Sequence, residues 1–242
     1  MAKIKPNATN SYLPALPAPQ VWLELSPNFP LPRPTPPLES NLSQLPELVA
    51  GIDEVGRGAL FGPVVAAAVI LPACALPKLI ASNIKDSKKL SSCRRIQLAE
   101  QIYELATDWQ IGWASSAEID QINILQATLL AMKRAVLKLK VCPQLCLVDG
   151  NQLIKDLRVP QETIVKGDER SLTIAAASIV AKVWRDDLIM GLASQYPLYN
   201  LEQNKGYGSP KHLVALQQYG ASPLHRKSFR PCKISEKVGS ED

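Results

Sequence analysis

Histidine and paired cysteine are scarce in this sequence, and this scarcity excludes several kinds of site. The 242 residues contain two histidines and five cysteines: Cys74, Cys93, Cys142, Cys146 and Cys232. An odd number of irregularly spaced cysteines does not form the framework of a disulfide-rich secreted protein. Cys142 and Cys146 are four residues apart, but no second pair of cysteines or histidines follows to complete a structural zinc site.

Long apolar runs and nucleotide-binding glycine motifs are also missing. No segment has the apolar length of a secretory signal or a membrane span, so we expect a cytoplasmic protein with reduced thiols and no membrane association. The first predicted strand is not followed by G-x-G-x-x-G, which excludes a Rossmann-type nucleotide binder. The formal net charge of +5 suits a polyanionic partner, although many ordinary domains carry as much.

Proline divides the chain into unequal parts. Half of the 20 prolines fall within the first 40 residues, in runs such as LPALPAP and PLPRPTPP. Such runs leave too few backbone donors for a helix or a sheet. We therefore predict a Pro-rich disordered leader over residues 1–46, a folded domain over 47–230 and a flexible tail over 231–242. The leader is either a solvated extension or a proline-rich docking site for a partner.

Strand and helix patterns alternate through the folded part. LVAGIDEV and PVVAAAVIL are apolar runs of strand length around a glycine-rich turn, which predicts a β-hairpin or two adjacent strands. WQIGWASS, QLCLVDG and ETIVKGD predict three further strands, and SSCRRIQLAEQIYELAT and SLTIAAASIVAKVWRDDLIMGLAS predict helices. We expect an α/β fold with a mixed sheet and helices on its faces.

The segment DQINILQATLLAMKRAVLKL predicts an amphipathic helix. Its expected N-cap is Asp120, whose carboxylate can accept from the first turn. Its expected apolar face is formed by Ile122, Leu125, Leu129, Met132 and Val136.

Acidic residues occur where predicted strands end. Asp53 and Glu54 lie in the first strand, Asp149 ends LVD, and Asp168 ends VKGD. Neighbouring strand ends in an α/β sheet converge on one crevice, where the carboxylates would repel one another without a cation. Oxygen ligands without histidine or thiolate favour Mg²⁺ or Mn²⁺. Two such ions, about 4 Å apart, can hold a phosphodiester, activate a water and stabilise a leaving oxygen.

Local structure gives an alternative explanation for two of these acids. Asp149 precedes a glycine and suits a turn, and Asp168 suits a helix N-cap. Asp53 and Glu54 need neither, because they lie within an apolar run. However, adjacent strand residues point to opposite faces, so one shared site requires the strand to twist or bulge at its end, or one residue to contribute its backbone carbonyl.

The blocks GIDEVGRGALFGPVVAAAVIL, DSKKLS, LVDGN, KGDERSLTIAAASIVAKVWRD and GYGSPKHL, in this order, resemble the ribonuclease HII family over about residues 48–229. The resemblance implies a ribonuclease H-like mixed β-sheet flanked by helices, with a C-terminal helical extension, and makes 47–230 a catalytic domain. It implies a Mg²⁺- or Mn²⁺-dependent endoribonuclease that hydrolyses the RNA strand of RNA–DNA hybrids. It also implies incision 5′ of single ribonucleotides embedded in DNA, leaving a 3′-hydroxyl and a 5′-phosphate.

The resemblance also assigns roles to individual residues. It places the metal-binding quartet on Asp53, Glu54, Asp149 and Asp168. It places the loop that contacts the 2′-hydroxyl on Gly56, Arg57 and Gly58, and the tyrosine that stacks on the sugar beyond the scissile bond on Tyr207. One departure follows that tyrosine: Gly208 and Ser209 stand where the family commonly has proline and threonine, which loosens the backbone there.

Basic residues are candidates for phosphate contacts, which provide affinity rather than sequence choice. The candidates are Lys88, Lys89, Lys182, Arg185, Lys205, Lys211, Arg226, Lys227 and Arg230. Lys88, Lys182 and Arg226 rank first because they lie in the blocks that carry the resemblance, and Asn123 lies in a similar block as a candidate DNA contact. For each basic residue a solvated surface charge is the alternative.

Two rival functions remain at this stage. A ribonuclease HIII-like nuclease would share the sheet, but that family has an N-terminal substrate-binding domain and usually a glutamate as its fourth acid. A catalytically silent hybrid-binding module would gain nothing from uncompensated carboxylates. We expect a monomer with an unknown replication or repair partner.

Overall fold

The computed structural model describes residues 48–82, 84 and 91–233. The predicted leader over 1–46 lies outside these residues, as do Lys88, Lys89 and the tail beyond residue 233. Within the described part, no helix is long and apolar enough to cross a membrane.

Five strands and seven α-helices form the described domain. The strands are β1 (Val49–Val55), β2 (Val64–Ile70), β3 (Asp108–Ala114), β4 (Leu145–Asp149) and β5 (Gln161–Ile164). The helices are α1 (Leu76–Ala81), α2 (Ser92–Leu105), α3 (Ser116–Lys138), α4 (Gly167–Arg170), α5 (Leu172–Ala193), α6 (Leu201–Asn204) and α7 (Pro210–Tyr219). The predicted hairpin, the three later strands and the long helices are thereby confirmed.

The sheet has the strand order β3-β2-β1-β4-β5. β1 pairs antiparallel with β2, and β2 pairs antiparallel with β3. β1 pairs parallel with β4, and β4 pairs parallel with β5. The sheet is therefore mixed, as predicted, and β1 is its central strand.

The two faces of β1 pack against different helices. Ala50 and Ile52 belong to the core cluster that includes Leu129 and Met132 of α3. Gly51 points to the other face, where an added Cβ would lie 2.1 Å from the backbone carbon of Thr173 in α5. Because side chains alternate along a strand, Asp53 shares the α5 face with Gly51. The missing side chain of Gly51 thus lets α5 approach the acidic end of β1.

The expected start of α3 was wrong. Its N-cap is Ser115, which forms a capping box with Glu118. Asp120 instead accepts hydrogen bonds from the backbone N–H groups of Lys227 and Ser228, both at 2.9 Å, and so ties α3 to the C-terminal segment. The helix is kinked at Asn123, where φ is 68°.

This kink separates the expected apolar face of α3 into two parts. Leu129, Met132 and Val136 beyond the kink are buried. Ile122 and Leu125 next to it remain 38% and 37% exposed, so the first part of the face is only partly covered.

The C-terminal extension covers the β1–β2 connection. Isolated antiparallel bridges join Ala59 to Tyr207 and Phe61 to His225. The backbone N–H of Leu60 donates to the carbonyl of Gly206 at 2.8 Å. The glycine-rich loop and the segment around Tyr207 therefore form one continuous surface beside the end of β1.

Candidate active site

Three of the four predicted carboxylates lie together at the end of the central strands. One ligand oxygen from each of Asp53, Glu54 and Asp149 lies within 4.8 Å of the other two. Asp53 and Glu54 follow the last parallel pair between β1 and β4, which is formed by Ile52 and Val148. Both acids can converge because they project from the end of this ladder.

Asp168 lies next to this group but is not one of its three members. The prediction placed it at a strand end, whereas the structure places it in the one-turn helix α4, with 3% of its surface exposed. The preceding residue, Gly167, donates its backbone N–H to Oδ1 of Asp149 at 2.6 Å. The start of α4 is therefore joined to the acidic group by a hydrogen bond.

Burial and mutual repulsion disfavour ionisation of the acidic pair. Burial raises the pKa of Asp53 well above its usual value, and the negative charges of Glu54 and Asp149 raise it further, while a hydrogen bond with Ser178 opposes the shift. Burial also raises the pKa of Glu54, against the opposing effect of Arg57. A cation among these carboxylates would compensate both the desolvation and the repulsion.

The acidic group lines a cleft of about 400 Å³ whose rim is basic. Arg95 of α2 and Lys182 of α5 line the cleft together with the three carboxylates and Ser178. Sequence reasoning missed Arg95 and Ser178. Ser178 follows Ala175, Ala176 and Ala177, and such a run of small residues is typical of a helix that packs closely on a sheet. Arg95 is one of two adjacent arginines without a distinguishing pattern.

The donor set of the cleft fits a hard divalent cation. Its grouped side chains offer carboxylate oxygens, which Mg²⁺ and Mn²⁺ prefer, and Asp53 is only 5% exposed. A carboxylate this deeply buried requires a compensating charge. The residues present are therefore suited to a metal-dependent hydrolase.

The Gly56-Arg57-Gly58 loop borders the acidic group. Nη1 of Arg57 donates to Oε1 of Glu54 at 3.0 Å, while half of the arginine side chain remains exposed. Gly58 is exposed, and no atom lies within 4 Å of the position that a Cβ would occupy. The loop therefore presents backbone to open space directly beside the carboxylates.

Arg226 does not lie at the surface. It is 0% exposed, and its guanidinium donates from Nε to the carbonyl of Gly62 at 3.0 Å and from Nη1 to the carbonyl of Arg57 at 2.8 Å. The direct phosphate contact expected for Arg226 is not available in this structure, because these bonds turn the guanidinium inward. Arg226 instead holds the main chain of the loop.

Arg185 is buried in the same way, contrary to its expected surface position. Its guanidinium donates to the carbonyls of Pro63, Phe61 and Lys205 at 3.1, 3.0 and 2.9 Å. Its Nε lies 2.2 Å from the position that a Cβ on Gly56 would take. Helical spacing from Ala181 and Leu188 on the apolar face could have indicated this burial.

Tyr207 lies at the edge of the loop with a half-buried side chain. Its ring is flanked by two cations, with Nζ of Lys182 at 5.5 Å and Cζ of Arg185 at 5.3 Å from the ring centre. Lys182 also forms an ion pair with Asp186 at 2.8 Å. The tyrosine, the loop and Lys182 therefore surround one side of the acidic cleft.

Asn123 is exposed at the kink of α3. Its Oδ1 accepts from the backbone N–H groups of Leu125 and Gln126 at 3.0 and 3.1 Å, so it caps the second part of that helix. These two bonds give the side-chain oxygen of Asn123 a structural role within α3.

The mixed sheet and the carboxylate group at the ends of its central strands define a ribonuclease H-like hydrolase. The structure of ribonuclease H2 from Pyrococcus horikoshii matches with a TM-score of 0.71 at 26% identity, covering 81% of this chain and all of that one. The structure of the PCNA:RNase HII complex from Archaeoglobus fulgidus matches with a TM-score of 0.58 at 27% identity, covering 74% of this chain and 92% of that one.

Sequence comparison gives the family. The profile of the family described as Ribonuclease HII matches residues 50–232. The Ribonuclease HII of a Nostoc species is 68% identical over 214 residues, which are 88% of this chain and 89% of that protein. The chain belongs to the ribonuclease HII family, and it is an endoribonuclease that cleaves RNA–DNA hybrids.

Proposed function

We propose that this endoribonuclease also incises duplex DNA on the 5′ side of a single embedded ribonucleotide, leaving a 3′-hydroxyl and a 5′-phosphate. The observation that supports this is the adjacency of the acidic group and the open loop, which the bond between Arg57 and Glu54 joins at 3.0 Å. A group that recognises a ribonucleotide is thereby held at a fixed separation from the group that cuts.

Asp53, Glu54 and Asp149 would hold the divalent ions, Mg²⁺ or Mn²⁺, and Asp168 on α4 would complete the coordination. Two ions bound there would activate the attacking water and stabilise the departing 3′-oxygen. The protein itself fixes these carboxylates: Ser178 and the backbone N–H of Glu54 donate to Asp53, and the N–H of Gly167 donates to Asp149.

The Gly56-Arg57-Gly58 loop would select the ribonucleotide through its 2′-hydroxyl. That hydroxyl distinguishes RNA from DNA at one nucleotide, independently of base sequence. The space beside Gly58 supports this role, because a sugar can approach the backbone there without meeting a side chain.

Tyr207 would stack on the deoxyribose beyond the scissile bond. Its ring lies next to Lys182, which lines the cleft and is the most directly placed candidate for a phosphate contact. The exposed Asn123 would contact the DNA strand. Arg226 would act indirectly, by holding the main chain of the loop at Arg57. A phosphate contact by Lys88 stays a prediction, because Lys88 lies outside the described residues.

We also propose a cytoplasmic monomer with a replication partner. Four cysteines of the described domain, Cys74, Cys93, Cys142 and Cys146, are free thiols, which agrees with a reducing compartment. The relative from Archaeoglobus fulgidus was solved in complex with PCNA, which supports a sliding clamp as the class of partner.

The test is cleavage of three substrates: a DNA duplex with one ribonucleotide, an all-DNA duplex and a long RNA–DNA hybrid, each with Mg²⁺, with Mn²⁺ and with chelator. We expect a metal-dependent cut on the 5′ side of the ribonucleotide and an intact all-DNA duplex. Cleavage of the long hybrid alone would contradict the roles of the loop and Tyr207. Binding without cleavage of any substrate would instead indicate a silent module.

A further inference from the structure

The chain's two histidines form a buried pair outside the acidic cleft. His212 lies in the first turn of α7 and His225 lies in the segment after this helix; they are 0% and 1% exposed. Their Nε2 atoms are 3.0 Å apart, which is a hydrogen-bond distance. Neither residue has a role in the chemistry described above.

The outer partners of the pair determine where each proton lies. Nδ1 of His225 is 2.9 Å from the backbone nitrogen of Ser222, and because that N–H can only donate, this Nδ1 accepts. Nδ1 of His212 is 2.8 Å from the carbonyl oxygen of Tyr207, and because a carbonyl can only accept, this Nδ1 donates. A neutral imidazole carries one proton, so His225 donates from Nε2 to the bare Nε2 of His212.

The donor at one end of this hydrogen-bond chain and the acceptor at the other each require the same direction of donation. The chain runs from the N–H of Ser222 through His225 and His212 to the carbonyl of Tyr207, with every acceptor satisfied by a donor. The rings of Phe61 and Tyr199 pack against His225 with centroids at 5.1 and 4.6 Å. In such surroundings a satisfied hydrogen-bond chain is stronger than in water, and a broken one is costly.

We propose that His212 and His225 are positioning residues that fix the main chain of Tyr207, and through it the place of the tyrosine ring beside the cleft. This inference rests on the substrate-contact role proposed above for Tyr207. The pair acts on the ring through the carbonyl of Tyr207 and does not touch the substrate.

The backbone around Tyr207 shows why such a tether has an effect. The next residue is Gly208, which does not restrict its own φ as a proline would. The other bonds that the main chain of Tyr207 itself makes are local: its N–H donates to the carbonyl of Asn204 at 2.9 Å, and its carbonyl also accepts from the N–H of Ser209 at 2.8 Å. The bridge to Ala59 acts one residue earlier, through the carbonyl of Gly206, which accepts from Leu60 at 2.8 Å. The bond from His212 ties this short segment to the body of α7.

The same pair also reaches the glycine-rich loop. His225 forms an isolated bridge with Phe61, whose carbonyl accepts from Arg185. The histidines therefore link two parts of the proposed substrate-binding surface. One is Tyr207, and the other is the β1–β2 connection that contains the Gly56-Arg57-Gly58 loop.

A direct test is the tautomeric state of the two imidazoles. The full chain, labelled with ¹⁵N-histidine, would be examined by long-range ¹H–¹⁵N NMR at neutral pH, and His212→Asn would assign the signals because one histidine then remains. We expect His212 protonated at Nδ1 and His225 at Nε2. Any other pair of tautomers overturns the chain.

A functional test uses two substitutions that each keep one nitrogen position of His212. In His212→Asn the side-chain amide falls near Nδ1 and can still donate to Tyr207, whereas in His212→Gln it falls near Nε2 and cannot. The readout is kcat/KM for the single-ribonucleotide duplex divided by kcat/KM for the long hybrid. We expect His212→Gln to lower this ratio about tenfold, as a misplaced binding group does, and His212→Asn to remain near wild type.

Two controls separate positioning from folding and from the role of Tyr207. Val214→Ala changes an exposed side chain of the same helix and should leave the ratio unchanged. Equal losses in His212→Asn and His212→Gln, in proportion to their melting temperatures, would overturn the positioning role. If Tyr207→Ala lowers the ratio and His212→Gln does not, only the positioning inference fails; if Tyr207→Ala has no effect, the proposed role of Tyr207 fails with it.

Discussion

Nη1 of Arg226 donates to the carbonyl oxygen of Arg57 at 2.8 Å across 169 residues of sequence. The loop that borders the acidic group is therefore held from below by a cation that has no exposed surface. Burial, and next the charge of Arg185, lowers the pKa of Arg226 to about 9. Burying a guanidinium is costly, so its presence here indicates that its bonds to the carbonyls of Gly62 and Arg57 are required.

We predict that Arg226→Lys loosens the loop. An ammonium group cannot span the carbonyls of Gly62 and Arg57 as the planar guanidinium does. We expect the free energy of unfolding to fall by about 1–3 kcal/mol and incision at a single ribonucleotide to fall about tenfold. Urea unfolding and steady-state kinetics measure the two effects. Arg230→Lys, at an exposed position, is the control, and equal behaviour of the two variants would refute the role.

Asp53→Asn should separate catalysis from stability. The change removes one charge from three mutually repelling carboxylates at nearly constant volume. In chelator we therefore expect the free energy of unfolding to be about 1 kcal/mol higher than that of wild type. Cleavage should fall at least about a hundredfold, and added Mg²⁺ should raise the melting temperature less than in wild type.

Asp156→Asn is the matched control, because its side chain is 88% exposed. It should change neither cleavage nor the response to Mg²⁺. Normal turnover by Asp53→Asn, with an unchanged thermal response to the metal, would contradict the assignment of Asp53 as a ligand.

The two loop glycines should respond differently to alanine. Gly56 has a φ of 88° and lies against Arg185, so Gly56→Ala should destabilise the fold by about 1–3 kcal/mol. In contrast, an added Cβ on Gly58 meets no protein atom, so Gly58→Ala should be as stable as wild type. The same Cβ would obstruct the sugar of the ribonucleotide, so the variant should lose cleavage of the substrates that contain one. Thermal melting and the three-substrate assay test both variants, and full activity of Gly58→Ala would rule out close approach of a sugar there.

Stability should fall in mild acid because of the histidine pair. Burial, and next the charge of His212, lowers the pKa of His225 to about 3, and burial also lowers the pKa of His212 from 6.5. Below pH 6.5 the unfolded chain takes up protons that the folded chain does not bind. Stability is therefore complete above pH 6.5 and decreases toward pH 3, by up to about 1.4 kcal/mol per pH unit for each proton.

His225→Gln tests this pH dependence, because glutamine does not take up a proton. The ring of Phe61 and the ring and hydroxyl of Tyr199, whose own pKa is raised, face the pair and do not ionise in acid. The free energy of unfolding would be measured in urea between pH 7.5 and 4.5. Its slope against pH should correspond to up to one proton fewer in the variant than in wild type. An unchanged slope would show that His225 is not the group responsible.

The features that could be predicted from the sequence depend on local patterns. The apolar runs of β1 and β2 gave the hairpin, and the position of Asp53 and Glu54 inside such a run indicated a requirement beyond folding. Asp149 could be placed with them because it ends a buried strand that pairs with β1.

The missed start of α3 is a local matter, because the capping box of Ser115 and Glu118 lies within four residues of sequence. The other missed features depend on partners far along the chain, as do the bonds from the N–H groups of Lys227 and Ser228 to Asp120. Arg226 resembles a surface cation until the carbonyl of Arg57 is brought next to it. No local pattern contains these tertiary contacts.

The central position of β1 bears on how the enzyme loses activity. Strands paired on both sides open last in native-state fluctuations, whereas loops open readily. Amide hydrogens of β1 up to Ile52, the last position paired on both sides, should therefore exchange with solvent only when the whole domain unfolds. Gradual heating or ageing should then impair substrate discrimination first, while the cutting residues persist until the molecule denatures.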